Sequence, residues 1–462
     1  MEKILHSVKK LLPKKVFEFF QPAYHYVLAI LGGLIYSFPS KHIKVVAVTG
    51  TKGKSSVVEL VNAILEEARF KTAVLGTIRF KVGKESRPNL YKMTTPGRFF
   101  VQKFLRQAVN KGCDYAVIEM TSEAARQFRH KFIDFDALIF TNLSPEHIES
   151  HGSYEKYVAA KVSIGQALET SAKKDKVLVV NADDKEAPKF LALKIPTIIP
   201  YSLKRAEPYE LRSGNISFTF DGKIINPKLE GVFNIYNSLV AAGFAKSQGI
   251  ATDTIKRGLE NMKPIPGRVE HISLKNPSGI SNKQNFSVIV DYAHTPDSLR
   301  AVYEAFKPKS GSRNKLVCVL GNTGGGRDTW KRPGMGKIAD EYCDKIILTN
   351  EDPYDENPRA IVDAMALGMK KHKPEIIMDR REAVAAALRA AAEMSTLKSA
   401  VASSDTLNPA SPSAGEAGSG AGNQNTVVLI TGKGTDPYIM EENGKKTPWS
   451  DKRVAEEELK KL

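Results

Sequence analysis

Apolar positions along the chain follow two alternating rhythms. Short β-branched runs at 43–49, 72–78, 114–119, 136–141, 176–181 and 196–200 read as buried strands, and most of the segments between them carry apolar residues three and four apart. Strand and helix in turn predict an α/β fold built on a parallel sheet. Residues 209–233 break the rhythm with a short β excursion, in which Asn215–Phe220 runs into an Asp221-Gly222 turn. A helical pattern covers Asn234 to about Lys246, and Lys263-Pro264-Ile265-Pro266-Gly267-Arg268 reads as a hinge. A second alternating series follows, with strands at Ser287–Val290, Lys315–Leu320, Lys345–Thr349, Glu375–Met378 and Thr426–Thr431. Residues 395–425 are Ser/Ala/Gly-rich without periodicity and read as a flexible surface insertion. The expected division is therefore a short segment 1–41, a central domain 42–266 and a C-terminal domain 267–462.

Residues 1–41 fit neither rhythm. Lys3, Lys9, Lys10, Lys14 and Lys15 precede the apolar stretch Tyr24–Tyr36, which is too short to span a bilayer comfortably and lacks a signal-peptide cleavage site. Two readings stand: a helix packed on the next domain, or peripheral membrane contact through a basic, apolar surface helix.

The net charge is +17. No arginine-rich tract or aromatic-interleaved basic motif points to nucleic acid, and anionic small substrates suit the same charge. Cys113, Cys318 and Cys343 are scattered and read as buried thiols of a reducing compartment, the cytoplasm, rather than a disulfide framework or a metal site.

The run 43–49 ends in Thr49-Gly50-Thr51-Lys52-Gly53-Lys54-Ser55-Ser56, and a helical pattern begins at once. Strand, glycine loop and helix make the context of a phosphate-binding loop. Gly50 and Gly53 let backbone N–H groups turn toward phosphate, Lys54 can reach the β- and γ-phosphates of ATP, and the Ser55 hydroxyl can hold Mg2+. The full loop spacing has glycine at position 48, where this chain has Val48, so the match is to a shortened form. The plain alternative is a glycine turn before an ordinary helix. Further polar clusters follow predicted strands, where ligands of open α/β sheets bind. They are Glu119-Met120-Thr121-Ser122-Glu123 and Thr141–Gly152 with His147 and His151, and Lys161 follows on a helix. A strand-end carboxylate such as Glu119 is a natural Mg2+ ligand.

These motifs resemble, in order, those of the Mur ligase family: Thr49–Ser55, Thr94-Thr95-Pro96, Glu119–Ser122, Thr141–Ser144, His147, His151-Gly152, Ala159-Ala160-Lys161, Asn181–Asp184, Phe233–Asn237, Gly267–Glu270 and Asp291–Asp297. Asp291–Asp297, Gly325-Gly326-Arg327-Asp328 and Lys331-Arg332-Pro333 resemble its UDP-N-acetylmuramoyl-tripeptide synthetase branch, and the likeness covers roughly 43–460 outside the insertion. The resemblance implies a P-loop central domain with a parallel sheet and a smaller Rossmann-like C-terminal domain. It implies an ATP- and Mg2+-dependent ligase that adds an amino acid to a UDP-muramoyl-dipeptide through an acyl phosphate. It casts Lys54 and Ser55 as phosphate and Mg2+ groups, with the rest of the 50–56 loop (Thr51, Lys52 and Ser56 included) around the nucleotide. Glu119 and His147 become magnesium ligands, and Lys161 a lysine carbamate. Asn237, Arg268 and Asp291 are cast as adenine, phosphate and ribose contacts. Thr94, Thr95, Thr121, Gln127 and Arg129 are cast as holding the muramoyl peptide, and Arg327 the carboxylate of the incoming amino acid. The chemistry agrees: a carboxylate becomes an amide only with a better leaving group, and two anions brought together need cations around them.

Three positions depart from the family pattern. Only residues 1–41 precede the first strand, where the family carries a uridine-binding domain. The Ser-Ser-His after the strand-end acid is Thr121-Ser122-Glu123, so Glu123 inherits no role. The Asp-Asn-Pro-Arg signature of diaminopimelate-adding members is Glu351-Asp352-Pro353-Tyr354. With Gly432 and Asp436, these residues predict an acidic amino-acid pocket that favours a distal ammonium, as in lysine, over a distal carboxylate. The alternatives are another amide ligase of the superfamily, such as a folylpolyglutamate synthase, or a nucleotide-gated scaffold at the membrane without turnover.

Overall fold

The computed structural model describes residues 14–273, 285–307, 314–326, 328–404 and 425–462. The chain divides into two compact units, residues 1–210 with 217–227 and 234–262, and residues 263–462 with 211–216 and 228–233.

The first unit is built on β1 (Lys44–Thr49), β2 (Thr72–Leu75), β3 (Arg79–Val82), β4 (Glu85–Pro88), β5 (Tyr115–Glu119), β6 (Ala137–Phe140), β7 (Val177–Asn181) and β8 (Thr197–Tyr201). They form one sheet in the order β4-β3-β2-β5-β1-β6-β7-β8. β1 lies between β5 and β6 and runs parallel to both, with Val48 opposite Glu119 and Ile139. Every residue of β1 after Lys44 is buried, which is why the run reads as continuously apolar. Strand order reverses around β1, so the loops after β1, β5 and β6 open on one crevice. Two strands were not foreseen. The expected strand 72–78 stops at Leu75, and β3 and β4 return antiparallel along the edge. Arg79, Lys81, Glu85 and Arg87 disguise them. Lys81 is buried all the same, its ammonium on Thr72 Oγ1 at 2.6 Å and Glu66 at 2.9 Å.

The N-terminal segment contains a helix, Lys14–Ile35, one face of which packs on the helix Arg98–Asn110. Ala29 and Gly32 are buried there, Arg98 Nη2 meets His25 Nδ1 at 2.7 Å, and Arg106 donates to the Tyr36 carbonyl at 3.0 Å. Among the described residues no helix is long and apolar enough to cross a membrane.

The excursion at 209–233 is a three-stranded sheet of β9 (Tyr209–Arg212), β10 (Asn215–Phe220) and β11 (Lys223–Ile225). The second unit's sheet comprises β12 (Glu270–Ile272), β13 (Phe286–Asp291), β14 (Lys315–Leu320), β15 (Lys345–Leu348), β16 (Glu375–Ile376) and β17 (Thr426–Thr431), in the order β12-β13-β17-β14-β15-β16. Only β12 is antiparallel to its neighbour; β17, late in sequence, pairs parallel with both β13 and β14. A hairpin of β18 (Tyr438–Met440) and β19 (Lys446–Pro448), unmarked in the sequence pattern, follows.

Two expectations are corrected here. The helix Arg380–Ser404 runs into the supposed insertion, continuing from a first half that is alanine-rich and buries Ala383, Val384, Ala387, Leu388 and Ala391; 405–424 lie outside the described residues. Cys318 and Cys343 are not separate thiols but a disulfide, with Cα atoms 6.1 Å apart. Cys318 sits on β14 and Cys343 just before β15, and the pairing of those two strands, invisible in a spacing of 25 residues, brings them together. Cys113 is free and buried, and burial pushes its thiol up.

Candidate active site

In the first unit the loop after β1 is held from all sides. Gly50 and Gly53 have φ of 146° and 82°, and a side chain on Gly50 would collide with Thr141 Oγ1, one on Gly53 with Asn237 Oδ1. Asn237, buried in the helix Val232–Ser247, thus lies against the loop. Thr51 Oγ1 is 2.7 Å from the Tyr157 hydroxyl and accepts from Ser144 N at 3.0 Å. Lys52 N donates to Asn142 Oδ1 at 2.8 Å, and its ammonium pairs with Glu146 at 3.0 Å. The helix Lys54–Glu67 begins directly after Gly53, with Ser55 and Ser56 buried in its first turn.

Two lysine nitrogens converge on one carbonyl. Lys54 Nζ donates to Gly50 O at 2.9 Å and Thr51 O at 2.8 Å, and Lys161 Nζ donates to Gly50 O at 2.8 Å. Lys161 is fully enclosed. Burial, then the charge of Lys54, drives its ammonium well below the usual lysine range. A neutral amine there is a nucleophile, the form that takes up CO2.

Glu119 ends β5 and is buried. Its Oε1 accepts from Thr77 N at 2.7 Å and its Oε2 from Thr77 Oγ1 at 3.1 Å. Thr77 Oγ1 is 2.8 Å from Thr94 Oγ1, and Thr95 Oγ1 donates to the Glu119 carbonyl at 2.6 Å. The acid and both threonines thus form one network. A carboxylate with one bond on each oxygen keeps further lone pairs. A carboxylate and a hydroxyl such as those of Glu119 and Ser55 are oxygen donors of the kind Mg2+ takes alongside phosphate. No group of three His, Cys, Asp or Glu arranged for a metal occurs among the described residues. His147 adopts φ 57° before the helix Ile148–His151, its ring 6.4 Å from that of Tyr157.

Thr121 caps the helix Ser122–Arg126, accepting from Ala124 N at 3.0 Å. Beyond it, buried Arg129 donates to the Thr95 carbonyl and to Gln127 Oε1 at 2.7 Å. Gln127 donates to Glu123 at 2.5 Å, and Arg98 holds the Gln127 carbonyl at 2.7 Å. Glu123 therefore ties this turn together. Burial pushes its carboxyl up, but hydrogen bonds from Arg126 and Gln127 outweigh burial and bring it below the usual range.

In the second unit Asp291 ends β13. Burial pushes its carboxyl up, and both oxygens accept backbone amides, from Val269 at 2.8 Å and Ala293 at 2.7 Å. The Arg268 guanidinium stacks 4.4 Å from the Tyr292 ring centroid. Glu351, Asp352 and Tyr354 follow β15. The Lys433 ammonium, wholly buried, binds Asp352 Oδ1 at 2.8 Å, Asp436 Oδ2 at 3.3 Å and the Tyr438 carbonyl at 2.6 Å. Burial opposes its charge, but the two carboxylates outweigh burial and hold it protonated. The acids of the expected acidic pocket thus include two that already share a buried cation. Glu351 differs. Thr323 donates to its Oε1 at 3.0 Å, while its Oε2, against Gly432, is buried with no hydrogen-bond partner among the described residues. Tyr354 takes φ 52° and donates its N–H to Met440 O at 3.0 Å. Arg359 pairs with Asp363 on its own helix, and Arg332 with Glu356. Arg327 lies outside the described residues.

Sequence alone assigns no role to Thr77, Tyr157 or Lys433. Thr77 and Tyr157 act through folding alone; Lys433 had a signal, the Gly-Lys-Gly after β17. Replacing Lys433 with methionine leaves Asp352 and Asp436 facing each other in a buried site. A loss of about 3 kcal/mol in urea unfolding is expected. An unchanged midpoint would mean that the site relaxes without the cation.

The Mur ligase middle domain matches residues 48–245, and the Mur ligase glutamate ligase domain residues 267–398. The UDP-N-acetylmuramoyl-L-alanyl-D-glutamate–2,6-diaminopimelate ligase of Syntrophomonas wolfei is 37% identical over 379 residues, 79% of this chain and 74% of its own. The enzyme of that name from Aquifex aeolicus is 32% identical over 99% of this chain and 82% of its own. A solved structure of a ligase of that name superposes with TM-score 0.55 at 26% identity, covering 91% of this chain and 78% of that one. Mycobacterium tuberculosis folylpolyglutamate synthase superposes with TM-score 0.63 at 16% identity, covering 88% of this chain and 92% of that one, a likeness of fold alone. The loop, the strand-end acid and the two lysines stand within a matched domain, and the chain belongs to the Mur ligase family.

Proposed function

We infer that the protein is an ATP-dependent ligase that joins a diamino acid to UDP-N-acetylmuramoyl-L-alanyl-D-glutamate in the synthesis of peptidoglycan precursor. The observation that carries this reading is the convergence of Lys54 and Lys161 on the Gly50 carbonyl, with Glu119 among the charges acting on Lys161. The names of relatives at 30–37% identity support the same substrates. Its place of work is the cytoplasm, where ATP and the nucleotide-linked dipeptide are found.

The free carboxylate of the dipeptide attacks the γ-phosphorus of ATP, and ADP leaves. The amine of the incoming amino acid then attacks the carbonyl of the acyl phosphate, loses a proton and expels phosphate. Lys54 supplies positive charge to the β- and γ-phosphates, and the N–H groups at the start of the helix Lys54–Glu67 point at them. Ser55 and Glu119 would hold Mg2+, with His147 and a carbamylated Lys161 as further ligands; when bound, the ion offsets phosphate charge. The family resemblance assigns nucleotide contacts to Asn237 in the first unit and to Arg268 and Asp291 in the second. Thr94, Thr95, Thr121, Gln127 and Arg129 would hold the muramoyl peptide; of these, Thr95 donates to the Glu119 carbonyl, Thr94 reaches the Glu119 carboxylate through Thr77, and Arg129 donates to the Thr95 carbonyl, so the substrate side is tied to the acid. Phosphate release that requires the muramoyl-dipeptide, ATP and a diamino acid together tests the reading; release independent of the dipeptide would overturn it.

Glu351 Oε2 supports a second, finer reading. A buried Glu351 oxygen without a donor among the described residues suits the distal ammonium of either lysine or meso-diaminopimelate, whose charge would offset the burial that pushes this carboxyl up. At the distal carboxylate the supports diverge. The relatives are named for diaminopimelate, yet Tyr354 stands where the signature arginine would, and Lys433, Arg332 and Arg359 are engaged with acids. Lysine is the expected substrate, preferred by roughly tenfold in kcat/KM. A tenfold preference for meso-diaminopimelate would reverse this reading without touching the ligase itself.

A further inference from the structure

The helix Lys14–Ile35 has two unlike faces. Ala29, Gly32 and His25 lie on the side packed against the helix Arg98–Asn110. Phe20, Tyr24, Val27, Leu31 and Leu34 are spaced by four, three, four and three residues, which places them on one stripe. All five are exposed, Phe20 at 61% and Leu34 at 57%, and Ile35 extends the stripe at 63%. No Asp, Glu, Lys or Arg occurs from Phe19 to Tyr36. Scattered exposed apolar residues are ordinary, but a continuous apolar stripe over four helical turns marks a contact surface.

We propose that this stripe is a docking surface for an anionic phospholipid bilayer, with the helix lying in the plane of the headgroups. Charge selects the occupant. Lys3, Lys9, Lys10, Lys14 and Lys15 precede the stripe against only Glu2 and Glu18, so the segment that leads into it is basic. Anionic headgroups supply the counter-charge, and a net charge of +17 draws the whole chain to such a surface. A second copy would bring the same lysines and the same two acids, with nothing to offset them. The helix holds Pro22 and does not qualify as a membrane span, so the contact is one of lying on the bilayer rather than crossing it. This inference does not depend on the ligase reading.

The test is co-sedimentation of the full chain with vesicles of phosphatidylcholine alone and of phosphatidylcholine with a third of phosphatidylglycerol. Binding is expected only to the anionic vesicles and is expected to weaken as salt is raised. Leu31→Asp with Leu34→Asp should lower partitioning by about a hundredfold, because two buried aliphatic side chains become two charges. Lys9→Gln, Lys10→Gln, Lys14→Gln and Lys15→Gln should each lower it by about fivefold; they decide the matter if the aspartate variant fails to fold by circular dichroism. A full chain that stays in the supernatant with anionic vesicles overturns the proposal, as does equal binding by the variants. A dimer in solution that Leu31→Asp dissociates, without vesicle binding, assigns the stripe to a second copy and overturns it too.

Discussion

Lys54→Ala is expected to lower ATP-dependent phosphate release by about a thousandfold while the protein still folds. The ammonium is held on the Gly50 and Thr51 carbonyls, inside the loop that receives the phosphates. It is thus oriented before any anion arrives, and loss of one preorganised donor of this kind costs about 10²–10³ in rate, more where it carries full charge. The fold has little need of it. The glycine conformations, the Asn142 and Thr141 hydrogen bonds and the buried start of the helix all remain. Phosphate release and thermal melting, measured on one preparation, separate the two effects. Turnover equal to that of the unaltered chain would show that the loop after β1 does not serve phosphate.

Lys161→Ala is expected to lose activity to a similar degree, with partial recovery on adding acetate or formate. The argument rests on the protonation state. Forming a carbamate joins the amine nitrogen to the carbon of CO2 and releases a proton, so only the neutral amine reacts. Burial has already moved Lys161 well below the ordinary lysine range, which raises its neutral fraction near neutral pH. The sign follows. Raising pH favours the amine and the carbamate, and lowering pH through the depressed pKa returns the ammonium and sheds CO2. The unaltered enzyme should therefore lose activity in CO2-depleted buffer, and lose more at lower pH. An enzyme indifferent to CO2 removal at every pH would leave Lys161 a brace for the Gly50 carbonyl and nothing more.

Most of the fold was legible because its strands lie in sheet centres. β1, β5, β14 and β17 are buried, so their sequences are almost continuously β-branched or apolar and admit few readings. The exposed edge strand β4 and its neighbour β3 escape such a pattern. β3 and β4 carry Arg79, Lys81, Glu85 and Arg87, and nothing in that string announces a hairpin. The candidate site could be drawn from sequence where chemistry demands a residue type at a fixed spacing, as in Gly50–Ser55, or where a family pattern supplied the position, as for Glu119 and Lys161. It was illegible where one side chain serves another across the fold. Thr77 holds Glu119 from 42 residues away, and Lys433 reaches Asp352 from 81. An acidic pocket inferred from Glu351, Asp352 and Asp436 was a sum of charges along the chain, and the cation that alters it came from beyond the window. The Cys318–Cys343 pair eluded reading for the same reason.

The position of β17 bears on how the second unit is made. β13 and β14 do not pair with each other; each pairs with β17, the last strand of that sheet to leave the ribosome. Until Thr426–Thr431 emerge, the two earlier strands have no common neighbour, and their inner edges stay open for about a hundred residues of synthesis. The first unit has the opposite schedule, since its central strand β1 is translated before the seven that assemble around it. A nascent chain halted before residue 426 should then carry a protease-resistant first unit and a degradable second one, and the unpaired edges of β13 and β14 would be natural ground for chaperone capture during translation.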